Sequence, residues 1–259
     1  MMELEELKKQ EKEFFALRDR IMAEAERRGI TMRILGAIAF RTHCPTFKHI
    51  GYQAGRALSD IDFAAYREEV KEIERLFLDL GYEQAEMVKR LFGTQRRIFY
   101  DRERGIHSDV FLDKLRFCHD INLRGRLEID YPTIPLVDLL LEKMQIVQLT
   151  EKDVIDTIML LREHGIGDSD EETINAGYLA SLCSRDWGLW RTVIMNLEKV
   201  EGFLSAYDFL TAEDRADVAS KIRGLLRRIE DEPKSLKWRM RARVGDKVQW
   251  YRDVDEVAR

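Results

Sequence analysis

Apolar side chains at Leu4, Leu7, Phe14, Phe15, Leu17, Ile21 and Ala25 recur near helical spacing through an otherwise charged stretch, which predicts an amphipathic helix lying on a surface over 3–29. Gly29 is the expected stop. Thr31-Met-Arg-Ile-Leu35 then predicts a short strand running into Gly36, and 37–41 the start of a second helix. With Pro45, Gly51 and Gly55, residues 42–55 read as an irregular connection. A strand is expected at 58–63, then a helix at 66–80 with Val70, Ile73, Leu76, Phe77 and Leu80 on one side and Gly81 at its end. The turn residues Asp101-Arg-Glu-Arg-Gly105 separate two strand-like runs, 96–100 and 106–112, a hairpin signal. A further short strand is expected at 127–129.

Beyond Pro132 and Pro135 the pattern becomes helical throughout, over 136–149, 151–164, 172–184, 187–200, 212–229 and 235–243. Thr150 followed by Asp153 is a capping pair that starts the second of these. The large apolar residues Trp187, Trp190 and Phe203 are expected in the core of this half. The fold class is therefore α+β: an α+β front half, 1–132, and an all-helical back half, 133–259.

Composition narrows the setting. Of 259 residues, 43 are Lys or Arg and 48 are Asp or Glu, so the net charge is −5 and charge-driven nucleic-acid binding by the whole body is not the default. Cys44, Cys118 and Cys183 are odd in number and widely spaced, which fits a reducing compartment and no disulfide framework. The first residues are charged from Glu3 onward, unlike a signal peptide. No apolar run reaches the roughly 18 residues that span a bilayer. A cytoplasmic protein without a membrane partner is the expectation.

The chemistry lies in three acids. Asp60 and Asp62 are two apart on an expected strand, so both side chains take one face. Adjacent carboxylates repel unless a cation sits between them. Asp109, in His-Ser-Asp-Val-Phe, is a third acid on a later strand. Three converging carboxylates suit Mg2+, or Mn2+, which take oxygen ligands. Upstream, the strand ending at Gly36 leads into a helix start whose backbone N–H groups would cradle a triphosphate.

Gly36-Ala37, Asp60-Ile-Asp62 and Asp109 together resemble the DNA polymerase β superfamily of nucleotidyltransferases, which carries a Gly-Gly or Gly-Ser turn, an Asp-x-Asp pair and a third carboxylate on a mixed sheet. Arg56-Ala-Leu-Ser-Asp-Ile-Asp-Phe63 is similar to the Arg-x-x-x-Asp-x-Asp form found in its abortive-infection toxin type. Leu139-Leu-Leu-Glu-Lys143 and Lys152-Asp153-Val-Ile-Asp156 resemble that type's helical Lys and Asp-x-x-Asp segments. The likeness spans roughly 30–165. It implies a mixed-sheet nucleotidyltransferase core followed by helices, with Asp60, Asp62 and Asp109 as metal ligands and Asp109 also helping to deprotonate the acceptor. It implies nucleotide contacts from Gly36, Ala37, Arg56, Ser59 and Lys143. The reaction would move a nucleoside monophosphate from a triphosphate such as ATP onto a hydroxyl of RNA, protein or a small molecule, releasing pyrophosphate; the toxin type leaves a toxin role open, but an antitoxin partner is not readable from one chain. Ala37 stands where the family has Gly or Ser, and the Gly36-to-Asp60 interval is lengthened around 42–55. Those two departures support the alternative, an inactive nucleotidyltransferase-fold binding module. A plain α+β protein with surface acids is the third reading.

Other residues have bland readings. His107 is expected as an ordinary strand histidine. His43, Cys44 and His49 match no zinc spacing. Asp153 and Asp156 suit either salt bridging or a functional role. The segment 234–243 holds five cations with Trp238 among them, and Trp250 and Tyr251 follow, a nucleic-acid footprint in principle. Flanking acids (Glu230, Asp231, Glu232, Asp246, Asp253, Asp255, Glu256) favour a solvated, internally paired face.

Overall fold

The computed structural model describes residues 3–254, which are α+β with a mixed five-stranded sheet. Asp255 and Glu256 lie outside the described residues. The chain divides into two compact units: one runs to Leu115 and adds Asn122–Pro135, the other takes Arg116–Ile121 and continues from Leu136.

The first unit opens with α1 (Leu4–Arg27), whose Glu3–Glu6 capping box starts it and whose Leu7, Phe14, Leu17, Ile21, Met22 and Ala25 are buried. Gly29, at φ +68°, ends it. Leu4 is exposed, outside the buried stripe. There follow β1 (Met32–Leu35), α2 (Gly36–His43), α3 (Lys48–Gln53), β2 (Asp60–Ala65), α4 (Val70–Asp79), β3 (Glu83–Gln84), α5 (Glu86–Phe92), β4 (Arg96–Asp101) and β5 (Ile106–Leu112). The sheet order is β1-β2-β5-β4-β3. Within this sheet only β2 and β5 run parallel; the other pairs are antiparallel. The expected hairpin at 96–112 is present, turned by Asp101, which accepts from the Arg104 backbone, and by Gly105 at φ +67°.

Alternation along the strands sorts the sheet into two faces. Ile61 and Phe63 on β2 and Phe99 on β4 are buried. Phe77 of α4 stacks on Phe99 at 4.1 Å between centroids and meets Phe63 edge-on at 6.2 Å, so the predicted apolar side of that helix is what seats it.

Two expectations fail here. Residues 42–55 contain α3 rather than an irregular connection, because Arg41 is buried and donates from Nη1 to the Lys48 carbonyl (3.0 Å) and from Nη2 to the Arg56 carbonyl (2.8 Å). Glu11 of α1 accepts from Lys48 Nζ at 2.7 Å and from the Tyr52 hydroxyl at 2.8 Å. Residues 127–129 form turns, not a strand: Arg126 N–H reaches the Leu123 carbonyl and Ile129 N–H the Arg126 carbonyl, so the backbone is satisfied locally. The short strands β6 (Lys114–Arg116) and β7 (Asp120–Asn122) make a separate two-stranded sheet.

In the second unit, α6 (Leu136–Met144) is buried at every residue. The unit continues with α7 (Glu151–Glu163), β8 (Gly165–Gly167), β9 (Thr173–Asn175), α8 (Ala176–Arg185), α9 (Trp187–Phe203), α10 (Ala212–Asp231) and α11 (Leu236–Ala242), of which α7, β9, α8 and α9 pack on α6. Side chains of Thr150, Asn175, Asp186, Thr211 and Ser235 accept the first free N–H groups of α7 to α11. α6 stops at Met144, short of the expected 149, because buried Asn196 donates to the Met144 (3.0 Å) and Ile146 (2.7 Å) carbonyls and takes over their unpaired ends. The start of the expected helix at 172–184 is β9 instead, which pairs with β8. Trp187 is buried, whereas Phe203 is exposed and not part of the core. No helix among the described residues is long and apolar enough to cross a membrane.

Candidate functional site

On β2 the acids Asp60 and Asp62 are half-buried and alternate with buried Ile61 and Phe63, so the carboxylates share the face turned away from α4. Register then adds the third acid. Asp62 stands opposite Asp109 on the parallel β5, and Asp60 opposite His107. On its other side Asp62 faces Leu35, the last residue of β1. The chain next turns through Gly36 at φ +68° into α2. A Cβ at Gly36 would lie 2.3 Å from Asp62 Oδ2, so only glycine fits both the left-handed backbone and the carboxylate against it. The N-terminal end of α2, where backbone N–H groups and the helix dipole favour anions, is thereby placed beside Asp62. Ala37 is buried in that first turn.

Asp109 is buried, at 1% exposure. Its Oδ2 accepts from Arg96 Nη2, while its Oδ1 has no hydrogen-bond partner. Burial pushes its carboxyl up from the ordinary aspartate range against the pull of Arg96 and His107, with the Asp60 charge adding to the rise. Arg96 belongs to β4, two residues before Ile98, which stands opposite Asp109, so it projects on the same face as the acids. His107 Nε2 lies 3.6 Å from Asp60 Oδ2, and its ring is tilted against Tyr100 at 6.2 Å. The exposed Ser59 donates from Oγ to Asp60 Oδ1 at 3.1 Å. Arg56 is half-buried and donates from Nη1 to the Ala57 carbonyl at 2.7 Å.

The structure thus brings Gly36, Asp60, Asp62 and Asp109 together on one sheet face, with Ala37 and Ser59 adjacent in the chain. Lys143 belongs to the second unit. Its buried ammonium is 3.0 Å from Glu142, 3.5 Å from Asp153 and 3.6 Å from Asp156. Burial alone would lower its pKa, but those carboxylates overturn this and hold it above the ordinary lysine range. The salt-bridging reading of Asp153 and Asp156 is therefore what the geometry displays, and Lys143 meets acids rather than an open approach for phosphate.

The residues at the acid face answer the question of fit to a divalent cation in part. Among the described residues no group of three His, Cys, Asp or Glu side chains is arranged to hold a metal ion. Two carboxylates do sit on one face, and the orphaned Asp109 Oδ1 is a buried acceptor aligned with them by register. The donor set is all oxygen, which suits Mg2+ or Mn2+. Elsewhere, His43 meets Thr133 and lies 3.6 Å from Asp130, and His49 meets the Thr46 carbonyl at 3.0 Å, so the two histidines turn to separate partners, while Cys44 is buried. In the basic segment, Lys234 donates to the Glu230 carbonyl in the last turn of α10 and to the Glu232 carbonyl just past it, and Arg241 lies 4.5 Å from the Trp187 ring centroid. Part of that segment's charge thus serves its own unit.

No protein-family model, curated protein or solved structure matches the chain.

The residue that sequence reasoning missed is Arg96. Its signal was the hairpin itself: once Asp101–Gly105 is the turn, Ile98 falls opposite Asp109 and Arg96 shares its face.

Proposed function

We propose that this chain is a divalent-metal-dependent nucleotidyltransferase that moves a nucleoside monophosphate from a triphosphate to an acceptor hydroxyl. One observation carries the reading: Asp62 lies in register with Asp109 across the parallel β2–β5 pair while packing onto the left-handed Gly36 at the start of α2. Carboxylates on facing strand positions repel, and Arg96 compensates Asp109 at one oxygen only; a glycine turn at a helix start is where phosphate oxygens approach a backbone most closely.

Asp60, Asp62 and Asp109 would hold Mg2+ or Mn2+, which when bound neutralises charge on the phosphates and on the leaving pyrophosphate. The backbone at Gly36 and Ala37 would donate to phosphate oxygens, with Ser59 and Arg56 at the rim. The acceptor oxygen forms its bond to the α-phosphorus as the bond to the bridging pyrophosphate oxygen breaks. Asp109 would take the hydroxyl proton, as general base or through the bound ion. Positioning and charge neutralisation supply most of the acceleration in such displacements. Acceptors in reach of this chemistry are an RNA end, a protein hydroxyl or a small molecule.

Thermal unfolding with Mg2+ or Mn2+ and each of the four ribonucleoside triphosphates tests this. A rise in melting temperature, absent in the Asp60→Asn/Asp62→Asn double variant, is expected. No rise with any triphosphate would overturn it. Transfer of label from α-labelled triphosphates into cell extract, separated into RNA, protein and small molecules, identifies the acceptor. The Arg96–Asp109 pair specifically favours a second reading, a nucleotide-binding module without transfer; binding without label transfer would establish that one.

A further inference from the structure

The acid face contains one side chain of opposite sign that has no place in a three-carboxylate metal site, and it occupies the most buried acid. Arg96 Nη2 is bound to Asp109 Oδ2. This leaves Asp109 with one orphaned oxygen, and Arg96 with a buried Nε that has no acceptor. The pair is therefore half-satisfied on both sides. A guanidinium offers five donors in a planar fork, and the geometry best matched to it is bidentate, as with a carboxylate or a phosphate. Here it makes one charge-assisted bond of the two available. Its side chain is 18% exposed, against 2% for Asp109, so Arg96 is the member with an open side. Its guanidinium carbon lies 5.2 Å from the Phe111 ring centroid, on the strand position opposite Arg96, which gives the cation a second resting contact on the same face.

We propose that Arg96 is a triphosphate-binding residue that competes with the divalent cation for Asp109. A cation approaching the open Oδ1 of Asp109 meets the positive charge already bound at Oδ2, and the guanidinium it repels lies on the face where an incoming polyphosphate supplies the acceptors it lacks. Metal and triphosphate consequently bind cooperatively, each removing the other's obstacle, and metal alone binds weakly. The inference rests on the nucleotidyltransferase reading of the same face, and assigns it a residue that reading does not require.

The test is Mn2+ titration of the full chain, followed by calorimetry, with and without a non-hydrolysable nucleoside triphosphate. In wild type the triphosphate should tighten Mn2+ binding. In Arg96→Gln, Mn2+ alone should bind about tenfold tighter, the worth of one charge-assisted hydrogen bond to the competitor, and the triphosphate should no longer tighten it. Arg96→Lys keeps the charge without the fork, so Mn2+ alone should bind as in wild type while the coupling to triphosphate falls. Equal Mn2+ affinity in wild type and Arg96→Gln, with coupling intact, would overturn the role of Arg96 and leave the nucleotidyltransferase reading standing. Failure of the wild type to bind Mn2+ under either condition would overturn both. Should Arg96→Gln not fold, wild-type coupling in Arg96→Lys overturns the inference by itself.

Discussion

Asp62 and Gly36 constrain each other: the carboxylate oxygen of one occupies the space where a Cβ of the other would stand, 2.3 Å away. Gly36→Ala should therefore cost both a left-handed backbone and a clash, about 2–4 kcal/mol together. Gly29→Ala separates the two contributions, since Gly29 has the same φ of +68° and no neighbour within 4 Å of the place a methyl would take. Urea unfolding should show the Gly29 variant losing only the backbone part, about 1–2 kcal/mol. Equal losses in both variants would mean that Asp62 yields freely.

Lys143 stands among Glu142, Asp153 and Asp156, and Asp156 is 1% exposed. Lys143→Met removes a buried positive charge from beside three carboxylates, which should destabilise the protein by about 3–5 kcal/mol. Adding Asp156→Leu to that variant should recover part of the loss, because an apolar side chain replaces a buried charge that has lost this cation. Denaturant midpoints measure both. A Lys143→Met protein as stable as wild type would show that the acids have become protonated or hydrated at little cost.

Elements set by neighbours in sequence were readable in advance, and those set by distant partners were not. The apolar side of α4, the Asp60/Asp62 alternation and the Thr150–Asp153 cap each depend on spacings of two to four residues, so pattern alone carried them. The end of α6 depends on Asn196, 52 residues away from Met144, and no local feature announces it. Arg96 becomes legible only after the β4–β5 register is known. The helix inside 42–55 was obscured by Pro45 and two glycines, whose local signal Arg41 and Glu11 override.

Arg41 makes the 42–57 segment a folded part of its unit, so its loss should be felt locally. Arg41→Ala removes two charge-assisted hydrogen bonds to the Lys48 and Arg56 carbonyls and the contact over Tyr52 at 4.4 Å. A loss of about 3 kcal/mol is expected from hydrogen bonds of this kind. Limited proteolysis should then cut first within 45–57, and hydrogen exchange should rise there before it rises in β1 or β2. Uniform exchange across the unit would mean that the segment does not open separately.

His119 gives the second unit a pH dependence whose sign is fixed by burial. The side chain is buried, its Nε2 is 2.9 Å from Thr192 Oγ1, and loss of hydration lowers its pKa to about 4. Above the ordinary value of 6.5 both folded and unfolded chains hold it neutral, and it contributes no pH dependence. Between 6.5 and about 4 the unfolded chain binds a proton that the folded chain refuses, so stability falls as pH falls. The full loss approaches about 3 kcal/mol by pH 4. His119→Gln has no proton to bind in this range. Urea midpoints compared at pH 7.5 and pH 4.5, conditions chosen on the order of one unit above the unfolded pKa and just above the folded one, should therefore fall further in wild type than in the variant. Parallel declines in the two proteins would show that His119 titrates in place without opposing the fold.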